Sequence, residues 1–216
     1  MKLSILTTDP RHPVVPRLQQ WQGEMETLGH SVSLFFDKKD LTNGDILFLV
    51  SCGQMIGDTE RQKFRAALVL HASDLPKGRG WSPHIWSIVN GANQITVCLL
   101  EAMDPVDSGA IWYKTEFTLE GHELLREINE KLFAAELSLM TQAVQDLDVV
   151  TPTLQSGASD SYMQKRTPEH SRLNVNKSLA EQFDLLRVVD NERYPAFFDH
   201  RGKRYQIKIE KVKNEL

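Results

Sequence analysis

The chain has 216 residues and a mass of 24.6 kDa, enough for one sizeable hydrophobic core with a small appended subdomain. Its 41% hydrophobic and 25% charged residues exclude a disordered chain, and no apolar run reaches the ~18 residues that a membrane span needs. A net charge of -4 argues against a general nucleic-acid binder. Cys52 and Cys98 form no CxxC pair, which argues against a disulfide framework or a structural zinc site and favours a reducing cytoplasm.

The first 150 residues predict alternating strands and helices. Helical faces are predicted from Val15 to Leu28, at 82–90 and along a long helix that begins near Leu124. This order predicts an α/β fold, a Rossmann-like, mostly parallel sheet with helices on both faces. Predicted strands occupy 2–7, 31–36, 45–50, 66–71, 96–100 and 110–117, of which 45–50, 66–71 and 96–100 read as central parallel strands and 110–117 as an edge strand.

Composition changes near residue 150, where the Thr-, Ser- and Gly-rich segment 151–161 predicts a linker or exposed loop. We therefore expect a domain at 1–150 and a C-terminal subdomain at 151–216, with a helix at 179–189 and a β-hairpin around Gly202. The subdomain holds 12 basic and 9 acidic side chains, against 13 and 20 in the rest. This mild excess suits a phosphate-bearing ligand, or simply a solvated face.

In an open α/β sheet, ligands bind beyond the carboxyl ends of the strands. No GxGxxG or GxxxxGK[ST] motif follows a predicted strand, which argues against a dinucleotide site and a P-loop. His71 ends a buried strand, a position well suited to proton transfer near neutral pH. The segment 71–84 that it opens contains two glycines and two prolines, which fix a loop. Asp104 and Asp107 follow the next strand, either as partners that orient the histidine or as solvated turn residues. Residues 51–54 form either a ligand-holding turn or an ordinary one.

The segment 71–80 (HASDLPKGRG), Asn90-Gly91 and Asp107-Ser108-Gly109 together resemble the folate-dependent formyltransferase family, with a methionyl-tRNA formyltransferase-like fold. His71 and Asp107 stand 36 residues apart, as the family signature requires. Segments 166–169 (RTPE) and 194–197 (YPAF) are similar to elements of the branch that acts on nucleotide-linked amino sugars.

The resemblance implies 10-formyltetrahydrofolate as formyl donor and His71 and Asp107 as catalytic residues. Asp107 would orient His71 and accept the amine proton, while His71 would stabilise the formyl oxygen or pass a proton to the departing folate nitrogen. The folate would be held by two loops and one neighbouring aromatic residue: Gln54, Met55, Ile56, Met103, Asp104, Pro105, Val106 and Trp81. The acceptor would meet Ser73, Lys77, Arg79, Arg187 and Tyr194, although Lys77 and Arg79 are equally explained as solvated loop charges.

One position departs from the family pattern. Val69 stands where the family has an asparagine that stabilises the oxyanion, and valine cannot donate a hydrogen bond. The candidate substitutes are the side chains of Gln54, Ser73 and His84, or a main-chain N–H of the glycine-containing loop within residues 71–84.

The acidic charge and short tail disfavour a tRNA acceptor, so a UDP- or dTDP-linked amino sugar, of the kind built into surface polysaccharides, fits best. Neither a nucleic acid nor a membrane is expected as partner, and the hairpin predicts a homodimer because such hairpins build dimers in sugar formyltransferases. Two alternatives stay open. One is a catalytically weakened relative that binds folate or a nucleotide sugar without turnover, and the other is a nucleotide-binding module without a folate site.

Overall fold

A computed structural model describes residues 1–157 and 162–212. Six strands form one sheet in the order β2-β1-β3-β4-β6-β7, and two further pairs, β9-β10 and β5-β8, stand apart from it. The strands are β1 (Lys2–Leu6), β2 (Ser31–Phe35), β3 (Gly44–Leu49), β4 (Phe64–His71), β5 (Arg79–Gly80), β6 (Gln94–Glu101), β7 (Ile111–Thr118), β8 (Tyr162–Met163), β9 (Ala196–His200) and β10 (Lys203–Ile207).

Helices cover the sheet, which confirms the predicted α/β class. α1 (Val15–Thr27) buries Val15, Leu18, Trp21 and Met25, and ends before Gly29, which has a φ of 86°. Its Trp21 meets Phe48 of β3 edge-on, with ring centroids 5.8 Å apart. The other helices are α2 (Asp58–Arg61), α3 (Pro83–Val89), α4 (Leu125–Asp146) and α5 (Phe183–Leu186), with 3₁₀ turns at Lys38–Asp40, Pro168–Ser171 and Ala180–Gln182. In the part of the chain that the structure describes, no helix is long and apolar enough to cross a membrane.

The sheet is mostly parallel, but β6 corrects the sequence prediction. β1 pairs in parallel with β2 and β3, and β3 pairs in parallel with β4, whereas β6 runs antiparallel to both β4 and β7. The connection from β4 to β6, residues 72–93, holds β5 and the single helix α3, whose seven residues span about 10 Å. An eight-residue strand spans about 26 Å. Since α3 is too short to carry the chain back to the start of β4, β6 enters from the His71 end and runs the other way, with Cys98 opposite His71 and Glu101 opposite Leu68.

The C-terminal segment packs against the sheet domain at several points. Thr153 forms a bridge with Ile111 at the start of the edge strand β7, and β8 pairs with β5. The predicted helix at 179–189 is a 3₁₀ turn followed by the short α5. The predicted hairpin is β9-β10, joined by Arg201 and Gly202 with φ of 49° and 72°, as a tight type I′-like turn requires. Residues 158–161 of the predicted linker lie outside the described residues, and the division at residue 150 stays a prediction.

One carboxyl group of α4, that of Glu136, is enclosed in the core. Glu136 Oε2 is buried without a hydrogen-bond partner in the described structure. Its burial raises the pKa of Glu136 from 4.5 to about 8. The folded chain therefore keeps Glu136 neutral at pH values where the unfolded chain ionises it, so the stability of the fold decreases as the pH rises from 4.5 to 8.

We expect Glu136→Gln to remove this loss. The variant should gain stability over the parent at pH 8, on the order of 3 kcal/mol. It should gain little at pH 4.5, where Glu136 is protonated in the folded chain and half protonated in the unfolded chain. Urea unfolding at the two pH values measures the difference. Glu130→Gln, at an exposed position of the same helix, should behave as the parent at both. An equal gain at pH 4.5 and pH 8 would contradict the ionisation argument.

Candidate active site

A histidine and an aspartate face each other below the surface at one edge of the sheet. His71 ends β4, and Asp107 lies in the loop between β6 and β7. His71 Nδ1 and Asp107 Oδ1 are 3.6 Å apart, and both side chains are buried. Because β6 is antiparallel, its carboxyl end lies beside Leu68 rather than beside His71. Asp107 therefore reaches the histidine because the loop folds back over the sheet edge.

The glycine-containing loop holds both members of this pair. His71 Nε2 lies 2.9 Å from Gly78 O, and because a carbonyl oxygen only accepts, Nε2 carries a hydrogen. Asp107 Oδ2 accepts a hydrogen bond from Gly80 N at 2.9 Å, which leaves Oδ1 facing the imidazole. Any substrate atom that takes the Nε2 proton must therefore replace the carbonyl of Gly78.

The main chain at Asp107 is strained and is fixed by a residue that sequence reasoning missed. Asp107 has a φ of 60°, a left-handed conformation that is uncommon outside glycine. Gln155 Nε2 donates to Asp107 O at 2.8 Å and to Gly109 O at 2.9 Å. Gln155 Oε1 accepts from Arg79 Nη2 at 2.8 Å. One amide thus ties the aspartate loop to the glycine-containing loop, and nothing in its Thr- and Ser-rich sequence context signals this role.

We expect Gln155→Glu to weaken the site while leaving the fold in place. A carboxylate keeps the acceptor that Arg79 uses but loses both donated hydrogen bonds and repels the carbonyls of Asp107 and Gly109. The expected cost is about 1–3 kcal/mol of stability and a fall in activity of tenfold or more through the displaced Asp107 carboxylate. Thermal melts and steady-state rates measure the two effects. Gln145→Glu, on the exposed face of α4, is the matched control, and a Gln155→Glu protein indistinguishable from it would refute the assignment.

The predicted folate residues after β3 form a loop braced by two cations. Gln54 Oε1 accepts from Lys38 N at 2.8 Å, and Met55 O accepts from Lys38 Nζ at 2.9 Å. Ile56 is buried, and its carbonyl accepts from Arg61 Nη1 at 2.9 Å. These two carbonyls therefore already have protein partners, while the Met55 side chain is 62% exposed.

The second predicted folate loop lies beside the first. Asp104 Oδ2 pairs with Arg61 Nη2 at 2.7 Å, so the cation that holds Ile56 also holds this loop. Met103 is 50% exposed, and Pro105 and Val106 are exposed as well. Exposed apolar side chains on two joined loops make an apolar surface next to the His71–Asp107 pair.

Trp81 stands at the border between this surface and the C-terminal segment. It is 37% exposed, and Lys165 Nζ lies 4.7 Å from the centroid of its ring. A Cβ added at Gly53 would lie 3.7 Å from Trp81 Cη2 and 3.2 Å from Thr8 Oγ1. The ring therefore lies close to the turn after β3, next to the two loops with exposed apolar side chains.

Val69 shares the face of β4 that carries His71, because side chains two residues apart point the same way. Its side chain packs among Leu75, Leu100 and Ile111, so the position is filled by hydrocarbon. Among the candidate substitute donors, the Ser73 hydroxyl donates to Lys77 O at 2.9 Å. The N–H groups of Gly80 and Trp81 are also taken, by Asp107 and by Met163 O.

The predicted acceptor residues divide into two groups. Ser73, Lys77 and Arg79 lie on the loop that holds His71, with Ser73 buried and Lys77 exposed. Arg79 Nη2 is bonded to Gln155, and its Nε is enclosed without a partner in the described structure. Arg79 is therefore placed to hold Gln155 rather than to reach out of the loop.

Arg187 does not join the site. It is only 1% exposed and connects α5 to the loop before β6, with Nε 2.7 Å from Asp184 Oδ1 and Nη2 2.9 Å from Asn93 Oδ1. We therefore correct its predicted role from substrate contact to internal brace, since a side chain with no free surface cannot line a cleft. Tyr194 is half-buried beside Arg166.

Comparison with known proteins accounts for this arrangement. Residues 23–144, more than half of the chain, match the family described as formyl transferase. The chain belongs to the formyl transferase family. A methionyl-tRNA formyltransferase from Rickettsia massiliae is 29% identical over 167 residues, which cover 76% of this chain and 55% of that protein. The chain thus spans about half the length of the curated formyl transferases that it matches.

Solved formyl transferase structures share the fold. A methionyl-tRNA formyltransferase from Clostridium thermocellum superimposes with a TM-score of 0.83 at 23% identity, covering 100% of this chain and 95% of that one. A 4-N formyltransferase from Francisella tularensis gives a TM-score of 0.78 at 18% identity, covering 99% and 98%.

Formyl transferases use 10-formyltetrahydrofolate as formyl donor. The surface of Met55, Met103 and Val106, bordered by Trp81, fits the flat ring system of that donor because exposed apolar side chains on two braced loops can cover an aromatic ring. The His71–Asp107 pair lies beside it, where the nitrogen that releases a formyl group would need a proton donor.

Proposed function

We propose that this chain transfers the formyl group of 10-formyltetrahydrofolate to the primary amine of a UDP- or dTDP-linked amino sugar, for surface polysaccharide biosynthesis. The observation that carries the proposal is the buried His71–Asp107 pair, 3.6 Å apart, beside two loops with exposed apolar side chains. The choice of a nucleotide-linked amino sugar as acceptor is supported by the RTPE and YPAF segments at 166–169 and 194–197. The Francisella tularensis protein, described as a 4-N formyltransferase, also shares the fold over nearly the whole of both chains.

The donor supplies an activated formyl carbon, which exchanges its bond to the folate nitrogen for a bond to the amine nitrogen. The amine must lose a proton, and the folate nitrogen must gain one. Asp107 orients the His71 ring, and the pair carries this proton between the two nitrogens. Asp107 keeps its carboxylate in place because Gly80 N binds the other oxygen.

A specific observation favours a second candidate, a relative that binds without turnover. Val69 lies in an apolar cluster, and several alternative donors are engaged elsewhere. Loss of one oxyanion donor costs about 3–4 kcal/mol of transition-state stabilisation in other enzymes.

The deciding experiment incubates the protein with 10-formyltetrahydrofolate and a panel of UDP- and dTDP-amino sugars, with methionyl-tRNA as a separate arm. Detection of a formamide by mass spectrometry in the amino-sugar arm supports the proposal. Formyl-methionyl-tRNA without a formylated sugar overturns the acceptor. Binding of a folate analogue with no product in any arm supports the second candidate.

The β9-β10 hairpin further supports a homodimer. β9 is bridged on one side, Arg172 to Phe197, whereas β10 is the outer strand of its pair, with Tyr205 47% exposed and stacked on Phe198 at 5.4 Å. An open strand edge with an exposed aromatic ring invites pairing with a second copy. We expect sedimentation at micromolar concentration to give twice the 24.6 kDa chain mass and Tyr205→Glu to give a monomer. A monomeric parent protein would refute the dimer.

A further inference from the structure

One arginine beside the candidate active site joins segments that are far apart in the chain. Arg61 ends α2, and its Nη1 donates to Ile56 O at 2.9 Å. Its Nη2 pairs with Asp58 of the same helix and donates to Asp104 Oδ2, 43 residues later, at 2.7 Å. Exposed ion pairs contribute little, but the Arg61 side chain is only 15% exposed. Its planar guanidinium therefore holds two acceptors from different loops at a fixed separation.

The segment that carries Arg61 is itself fixed to the rest of the fold. Glu60 Oε2 accepts from Gly57 N at 2.9 Å, and Glu60 Oε1 lies 3.6 Å from Lys38 Nζ. The same ammonium group donates to Met55 O at 2.9 Å. Arg61 therefore extends from a braced turn and can hold a second loop in place.

The contact between Arg61 and Asp104 is the polar link between the two loops. In the part of the chain that the structure describes, it is the one hydrogen-bonded or ionic contact between segments 54–61 and 103–106. The second loop leaves the sheet just after Ala102, whose N–H is bonded to a carbonyl of β4. Beyond that point, its polar tie to the first loop is Arg61.

The apolar surface that faces the donor is divided between these loops. Met55 lies on the first loop and Met103 and Val106 on the second, and all three side chains are exposed. Packing into the core therefore does not set their relative positions. A surface that is ordered before its ligand arrives binds more tightly, because the free energy of ordering the loops is not lost on binding.

We propose that Arg61 is the positioning residue that pre-organises this donor surface by linking the loop after β3 to the loop after β6. The inference rests on the folate part of the proposed function and not on the acceptor. Arg61 acts through Ile56 O and Asp104, without touching the reacting atoms. The His71–Asp107 pair has its own partners in the glycine-containing loop, so loss of Arg61 should weaken donor binding more than it slows the chemical step.

The test measures donor binding without turnover. Isothermal titration calorimetry at neutral pH gives the affinity for 5-formyltetrahydrofolate, an unreactive isomer of the donor. We expect Arg61→Met to weaken binding about tenfold, because methionine keeps an apolar stem but donates no hydrogen bond. Arg61→Lys should restore part of the loss, since lysine keeps the charge but not the fixed fork of N–H groups. Parent-like affinity in a folded Arg61→Met protein would overturn the proposal, as would a parent protein that does not bind the analogue at millimolar concentration.

Arg65→Met is the matched control. Arg65 also pairs with two carboxylates, Asp45 and Asp148, but it lies at the end of β4 away from His71. The same exchange there removes two ion pairs without touching either loop. Its affinity for the analogue should equal that of the parent, and an equal loss in both variants would show that the effect is a general one of lost charge.

A double-mutant cycle with Asp104→Ala separates positioning from direct contact with the ligand. If Arg61 acts through Asp104, Arg61→Met should weaken binding much less in the Asp104→Ala background, because the link is already broken. Independent effects of the two substitutions would overturn the proposal. The cycle can be run with Arg61→Lys if thermal melts show that Arg61→Met is unfolded.

Turnover gives a second reading that a merely structural role would not produce. In the formyl-transfer assay, KM for 10-formyltetrahydrofolate should rise about tenfold in Arg61→Met, with a much smaller fall in kcat. A fall in kcat with unchanged KM would contradict the positioning role. Arg61-dependent binding of the analogue by a protein that formylates no amino sugar would support this role while rejecting the proposed acceptor.

Discussion

Replacement of His71 by Gln is expected to lower the rate of formyl transfer by roughly 10²–10⁴-fold, the range for loss of a general acid–base group. Glutamine retains a side-chain N–H for the Gly78 carbonyl, which Nε2 contacts at 2.9 Å, but it cannot shuttle a proton. The fold should therefore survive while the chemistry fails. Single-turnover assays with the formylated acceptor as readout measure the rate, and melting curves measure the fold.

Asp107→Asn should have a comparable effect for a different reason. The amide keeps an acceptor for Gly80 N but removes the negative charge 3.6 Å from His71 Nδ1, so the carboxylate no longer orients the ring for proton transfer. His200→Gln on the exposed end of β9 is the matched control and should remain fully active. A His71→Gln protein with at least a tenth of the parent rate would show that this imidazole does not carry the proton.

The candidate site was visible in the sequence to the extent that its signals are local. His71 ends an apolar run and is followed by a loop of Gly and Pro, so its place at a strand end follows from hydrophobic patterning alone. The relation between His71 and Asp107 did not follow from patterning, because only the resemblance made a spacing of 36 meaningful. The structure brings the two together through a loop that folds back, whereas the sequence reading relied on neighbouring parallel strand ends.

Features that depend on the direction of a strand or on contacts between distant residues could not be predicted from the sequence. The direction of β6 depends on whether the seven residues of α3 can cross the sheet, and hydrophobic runs look alike in parallel and antiparallel strands. Arg187 lies in a basic tail where exposure is the ordinary expectation, yet Asn93, 94 residues away, accepts its hydrogen bond inside the fold. Gln155 acts through carbonyls of a loop 46 to 48 residues earlier, which no short-range pattern encodes.

Gly109 shows the same limit, since Asp-Ser-Gly reads only as a turn, while the structure makes the glycine obligatory. A Cβ at this position would lie 1.9 Å from Glu101 O and 2.7 Å from the carbonyl carbon. Both atoms belong to the backbone at the end of β6, and Glu101 N is itself bonded to Ala110 O at 2.9 Å. The loop that carries Asp107 therefore leaves β6 and enters β7 through a contact with no room for a side chain.

We expect Gly109→Ala to destabilise the protein by roughly 3 kcal/mol or more, because backbone rather than a flexible side chain must move. The control is Gly23→Ala in α1, where no atom lies within 4 Å of the added Cβ and alanine should stabilise the helix by about 0.5–1 kcal/mol. Replacement of glycine by alanine should thus change the free energy of unfolding in opposite directions at the two positions. Chemical denaturation of both variants measures this free energy. Because the displaced loop carries Asp107, formyl transfer by the folded fraction of Gly109→Ala should also fall. A Gly109→Ala protein as stable as Gly23→Ala would mean that the loop leaves β6 by another path.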